Sequence, residues 1–172
     1  MVTLSWRFLN YNKNQKTKNK ILDAIRITKC FTFDMAHALK GYDGLCRNIH
    51  GHTYLLRVTL IGKIKHEDTN PKNGFVMDFG VLKDIIKREV IDVYDHSLVL
   101  RDHLSETEIS VLKGISERIH YVDFQPTCEN LLVHIKNKIT ASIPDYVALH
   151  SLRLDETPTS YAEWFLSDQS VN

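Results

Sequence analysis

Apolar and polar positions alternate over residues 25–37. Ile25, Ile27, Phe31 and Phe33 recur against Arg26, Thr28, Cys30 and Thr32, and Met35 and His37 continue the parity of Phe31 and Phe33. A period of two predicts a half-buried strand. The run Thr53-Tyr54-Leu55-Leu56-Arg57-Val58-Thr59-Leu60 places a second strand over 50–61. Between them, Gly41, Asp43 and Gly44 mark a loop, and Asp68, Asn70, Pro71, Asn73 and Gly74 mark a turn region after the second strand. A short third strand is expected over 75–77. The period then changes. Asp78 stands where an N-cap would, and Leu82, Ile85, Ile86 and Val90 form one stripe, with Lys83, Asp84, Lys87 and Arg88 outward. Ser105-x-x-Glu108 is a capping-box pattern ahead of a lesser helix through Val111, Leu112 and Ile115. A strand is expected over 121–124. Thr127 after Pro126 caps a second long helix with the stripe Leu131, Leu132, Ile135 and Ile139, ended by Pro144. A strand over 146–154 and a closing segment over 160–165 complete the order. This order predicts an α+β domain: an antiparallel sheet with two long helices packed on one face.

Composition narrows the class. The 172 residues suit one domain, read as 25–172, preceded by an N-terminal extension over 1–24 whose residues 12–20 are polar and cationic. A net charge of +1 gives no reason to expect a nucleic-acid or membrane partner. Three cysteines, Cys30, Cys46 and Cys128, are an odd count at irregular spacing, which argues against a disulfide framework and for a reducing compartment. No signal-peptide pattern opens the sequence, and no run approaches 18 apolar residues, so a cytoplasmic protein is expected.

The candidate chemistry centres on Cys46-Arg47-Asn48-Ile49-His50-Gly51-His52. Residues two apart on a strand share a face, so His50 and His52 converge, and Gly51 leaves room for close approach on the other side. His37 brings a third imidazole to an apolar face. Three neutral imidazoles with an open position are the ligand set of a catalytic zinc. Cys46, beside such a dication, would have a stabilised thiolate and could serve as a base; it could equally be a fourth, structural ligand. In Asp95-His96 an aspartate could orient an imidazole, given a turn that lets neighbours meet. Glu156, at the end of a strand, and Thr127, at a helix start, carry no signal on spacing alone.

The segment 31–37, Cys46-x-x-x-His50-Gly51-His52, Met77-Asp78-Phe79, Asp95-His96, Pro126-Thr127-Cys128-Glu129-Asn130 and Asp155-Glu156-Thr157 together resemble the 6-pyruvoyl-tetrahydropterin synthase and 6-carboxytetrahydropterin synthase family, in order from about residue 25 to 164. The resemblance implies the tunnelling fold, in which subunit sheets join edge to edge as a barrel, and a homohexamer of two stacked trimers with pockets between subunits. It implies Zn2+ held by His37, His50 and His52, Cys46 as acid/base, and His96 oriented by Asp95 to exchange a proton. Glu156 would grip the pterin, with Thr127 a weaker member of the pocket. The implied substrate is 7,8-dihydroneopterin triphosphate. Its phosphates are expected to meet scattered cations, with Lys29 and Arg26 weighed against solvated roles for both. The three residues between Cys46 and His50 resemble the 6-carboxy members, which release acetaldehyde and triphosphate on the way to queuosine-type deazapurines. The alternatives are the 6-pyruvoyl product and a non-catalytic pterin- or zinc-binding protein.

Overall fold

A computed structural model describes residues 23–170. The proposed extension over 1–24 lies almost wholly outside these residues. The long hairpin of β1 (Ala24–Ala38) and β2 (His50–Lys63) is the frame of the molecule, running antiparallel from Ala24 opposite Lys63 to His37 opposite His50. β2 pairs antiparallel with β5 (Val147–Thr157), and β5 with β6 (Ser160–Phe165). On the other side of β1, β3 (Ser97–Arg101) and β4 (Ile119–Val122) each add in parallel. The sheet order is β4-β3-β1-β2-β5-β6.

The α+β class holds, but the sheet is mixed rather than antiparallel throughout. The reason lies in the connections. A parallel pair needs a crossover of about a dozen residues or more, and residues 102–118, with a helix inside them, supply one between β3 and β4. All four residues of Ser97-Leu98-Val99-Leu100 are buried, which is the continuous pattern of a parallel strand covered on both faces. The segment 75–77 is a bend, not a strand. Lys65 and Gly74 fasten it: Lys65 N–H donates to Phe75 O at 3.0 Å and Gly74 N–H to Lys65 O at 2.8 Å. Val76 and Met77 are apolar because they plug the core, not because they pair.

The helices start where local chemistry says they should. Asp78 Oδ1 accepts from Gly80 N–H at 2.8 Å and opens α1 (Phe79–Ile86), which runs through a π-helical turn (Lys87–Ile91) into α2 (Asp92–Tyr94). Ser105 and Glu108 close the expected capping box on α3 (Glu106–Lys113). Thr127 caps α4 (Cys128–Thr140). Leu82, Ile85 and Ile86 of α1 and Leu131, Leu132, Ile135 and Ile139 of α4 pack with Phe33, Met35, Tyr54, Leu56, Val58 and Leu60 in one core on one face of the sheet. A smaller cluster of Ala38, Leu98, Leu100 and Leu112 seats α3 beside the ends of β1 and β3.

Candidate metal centre

The hairpin register builds the first group of the site. His37 lies opposite His50, and Met35 opposite His52, so all three imidazoles emerge on the helix-covered face. Their ring centroids are 4.5 Å (His37–His50), 5.3 Å (His37–His52) and 5.0 Å (His50–His52) apart. One ligand atom from each lies within 4.8 Å of the others. Gly51 keeps the two strands close here: a Cβ at that position would stand 3.3 Å from Met35 O and 3.6 Å from Ala36 Cα.

Backbone carbonyls choose the tautomers. His37 Nδ1 is 2.7 Å from Pro126 O, and His50 Nδ1 is 2.8 Å from Asn48 O. A carbonyl only accepts, so each Nδ1 carries the proton and each Nε2 presents a lone pair. The Nε2 atoms of His37 and His52 are buried without any hydrogen-bond partner. Burial, first among the causes, pushes both groups below the ordinary histidine value, which favours the neutral, ligating form. The His37 Nε2, unprotonated and buried, and the buried Nε2 of His52, grouped with His50, fit a divalent cation. The carbonyls of Pro126 and Asn48 could not be read as functional from sequence, because every residue carries one.

Glu156 joins this group from the end of β5. Its Oε1 stands 3.6 Å from His37 Nε2 and 3.9 Å from His52 Nε2, and accepts from the Tyr54 hydroxyl at 3.3 Å. The Glu156 side chain remains 25% exposed, so its carboxylate is available to a ligand. Tyr54 is fully buried beneath it, and burial drives its phenol far above the usual range. Thr127 stands one residue past the carbonyl that orients His37, but its Oγ1 accepts from Asn130 N–H at 3.3 Å as the cap of α4. Cys46 is half-buried in a 3-10 turn (Leu45–Arg47), and its carbonyl accepts from Leu39 N–H at 2.9 Å. It is not part of the three-ligand group, which contains histidines alone.

Asp95 and His96 form a second group. His96 adopts φ +58, which is the turn that lets neighbouring side chains meet. Its Nδ1 is 3.1 Å from Asp95 Oδ1. The pair is fastened to β1 at Asp34: Asp34 N–H donates to Asp95 Oδ1 at 2.9 Å, and His96 N–H donates to Asp34 O at 2.6 Å. The Asp34 bond, with His96 behind it, holds the Asp95 carboxyl below the usual carboxylate range. The Asp34 side chain, bonded by the Thr53 hydroxyl at 2.6 Å, lies on the face of β1 opposite His37. Within one chain, therefore, the histidine triad and the Asp95–His96 pair are distinct clusters. Lys29 and Arg26 lie far from both. Lys29 sits ~27 Å from His37 at about 3.4 Å per residue, with its ammonium over the Phe31 and Phe79 rings.

Residues 26–165 match the sequence profile of the 6-pyruvoyl tetrahydropterin synthase family. The chain belongs to this family. Among its relatives, the 6-carboxy-5,6,7,8-tetrahydropterin synthase of Haemophilus influenzae is 37% identical over 142 residues, covering 81% of this chain and 97% of that protein. The 6-pyruvoyl tetrahydrobiopterin synthase of Dictyostelium discoideum is 32% identical over 118 residues, covering 69% and 71%. The Caenorhabditis elegans 6-pyruvoyl tetrahydropterin synthase structure superposes with a TM-score of 0.60 at 23% identity over 84% of this chain and 96% of that one, which supports the shared fold.

Proposed function

We propose that this family member converts 7,8-dihydroneopterin triphosphate to 6-carboxy-5,6,7,8-tetrahydropterin, acetaldehyde and triphosphate, a zinc-dependent step toward queuosine-type deazapurines in the cytoplasm. The observation that carries the reading is the triad of converging imidazoles, two with buried unpartnered Nε2 atoms, beside the Glu156 carboxylate. His37, His50 and His52 would hold the ion. A bound zinc acts as a Lewis acid that makes substrate hydroxyls and neighbouring C–H groups more acidic. Glu156 accepts hydrogen bonds from the ring N–H and amino donors of the pterin, with Thr127 at the edge of the same pocket. The Cys46 thiolate takes a proton from carbon. His96, oriented by Asp95, exchanges protons on the other side of the side chain. Because the triad and the Asp95–His96 pair are separate clusters within one chain, in this reading they act on one substrate in a pocket shared between copies, as in a homohexamer.

The 6-carboxy product is preferred for two reasons. Relatives 30–37% identical over about four-fifths of the chain carry that name. The three residues between Cys46 and His50 also resemble the spacing of the 6-carboxy members, a loop length that would set where the thiolate stands. The Dictyostelium relative favours the 6-pyruvoyl product as the second reading. Incubation with dihydroneopterin triphosphate separates them: acetaldehyde trapped in amounts matching substrate consumed supports the 6-carboxy product, and pyruvoyl-tetrahydropterin without acetaldehyde overturns it. Native mass measurement tests the assembly, and a stable monomer at micromolar concentration defeats the shared pocket.

A further inference from the structure

A helix end leaves its last four carbonyls without partners inside the helix. Before Asp95 these belong to Ile91, Asp92, Val93 and Tyr94. Asp95 N–H itself donates to Ile91 O at 2.9 Å. The other three are met by side chains from the strands that follow. Arg118 Nη2 donates to Asp92 O at 2.8 Å and to Val93 O at 3.0 Å. His120 Nε2 donates to the same Val93 O at 2.8 Å, since a carbonyl can only accept. Ser97 Oγ donates to Tyr94 O at 2.7 Å. His120 also packs edge-to-face on Tyr94 with centroids 5.4 Å apart, and the Tyr94 hydroxyl meets His134 Nε2 at 2.7 Å. Immediately beyond this anchored end the chain turns through His96 at φ +58, the one positive φ outside glycine among the described residues. A histidine is held in that region only when its surroundings fix it there.

We propose that Arg118 and His120 are positioning residues for Asp95–His96: β4 and the residue before it lock the carbonyl end of α2, and so set the turn that holds the imidazole against its carboxylate. Neither touches the reacting atoms; both act through His96. The Arg118 Nη2 is committed to carbonyls, and the guanidinium lines its cavity with Asp92 and Asp95, which suits a clamp rather than a phosphate contact. This assignment rests on the reading of Asp95–His96 as the proton-exchanging pair.

The test uses the full-length, zinc-loaded protein with Arg118→Met, which keeps the stem, and His120→Phe, which keeps a ring on Tyr94. Displacing a catalytic group by about 1 Å can cost about 100-fold, so the double variant should lose about 10- to 100-fold in kcat with KM and zinc content unchanged, while the carbonyls left without partners lower the melting temperature. Amide exchange at residues 95–97 should rise. Placed in a His96→Ala background, the two changes should cause no further loss, because they act through that imidazole. An unchanged kcat, or an equal loss in both backgrounds, overturns the assignment. If the wild-type protein turns over no dihydroneopterin triphosphate, the proposed reaction fails on its own account. Exchange then decides the clamp: raised exchange at 95–97 supports it, and unchanged protection overturns it.

Discussion

Chelation of the histidine triad should cost this protein stability, and His52→Leu should abolish that cost. The Nε2 atoms of His37 and His52 are buried with no hydrogen-bond partner. A buried polar atom left unpaired costs about 1–3 kcal/mol, so the metal-free fold carries roughly 2–6 kcal/mol of unsatisfied polarity. The His52 side chain keeps 19% exposure, which places its share near the lower end, about 1 kcal/mol. Zinc at a hundredfold excess over its Kd adds about 2.7 kcal/mol to the native state. At ~2–4 °C per kcal/mol for a chain of this size, the wild-type melting temperature should rise by about 5–11 °C on loading.

His52→Leu removes one ligand and one unpaired nitrogen together. Repacking a shape-similar side chain costs up to about 1.5 kcal/mol, which nearly cancels the gain of about 1 kcal/mol. The chelated variant should therefore melt within a few degrees of the chelated wild type, while zinc should no longer shift it. Differential scanning calorimetry with and without dipicolinate reads both quantities. A wild type that shows no rise with zinc, or a variant whose melting temperature still rises as the wild type's does, refutes the reasoning.

Cys46→Ala should retain zinc by atomic absorption and lose turnover, whereas His37→Ala, His50→Ala and His52→Ala should each lose most of the metal; equal metal loss in Cys46→Ala would make the thiolate a ligand. Glu156→Gln puts amide donors where the pterin presents donors of its own, so pterin affinity by calorimetric titration should fall about 10- to 100-fold, the worth of a hydrogen bond to a charged group. Its zinc content should fall less than in any of the three histidine variants. His134 has its pKa lowered from 6.5, chiefly by burial, so the unfolded chain binds more protons between that lowered value and 6.5. This contribution is complete above 6.5 and is lost as pH falls below it. The zinc-free melting temperature should accordingly drop on acidification, less so in His134→Gln, and equal slopes would remove His134 from the effect.

Features written in local chemistry were legible in the sequence. Asp78, Ser105 with Glu108, and Thr127 all cap the helices expected of them, because a cap depends on residues two or three apart. The parity of Phe33, Met35 and His37 was legible for the same reason, and all three are buried. Features that depend on what a segment meets were not. Residues 75–77 have the apolar content of a strand, yet Val76 and Met77 plug the core while Phe75 stays exposed, its carbonyl bonded by Lys65 N–H. The parallel edge of β3 and β4 depends on a crossover whose direction no single residue encodes. Lys29 is near the motif in sequence, but the extended strand β1 carries it along the hairpin away from His37, to a position opposite Val58.

β1 explains why two chemical groups can be built so near one another and still remain apart. A strand reverses its facing at each residue, so His37 and Asp34, three residues apart, point to opposite faces. The odd positions serve the histidine triad: Phe33 and Met35 bury the approach, and His37 ends it with a nitrogen whose tautomer the loop before α4 has fixed. The even position serves the turn: the Asp34 backbone seats both Asp95 and His96, and its carboxylate ties the hairpin to Thr53. The backbone bonds to Asp95 and His96 would survive a change of the Asp34 side chain, whereas the direction in which His37 points would not survive a one-residue slip of the β1–β2 register. Gly51 guards that register at the site itself, since any side chain there would press on the Met35 carbonyl. The precision of the triad is thus a property of the hairpin, and the precision of the Asp95–His96 pair is a property of the edge that β3 and β4 add to it.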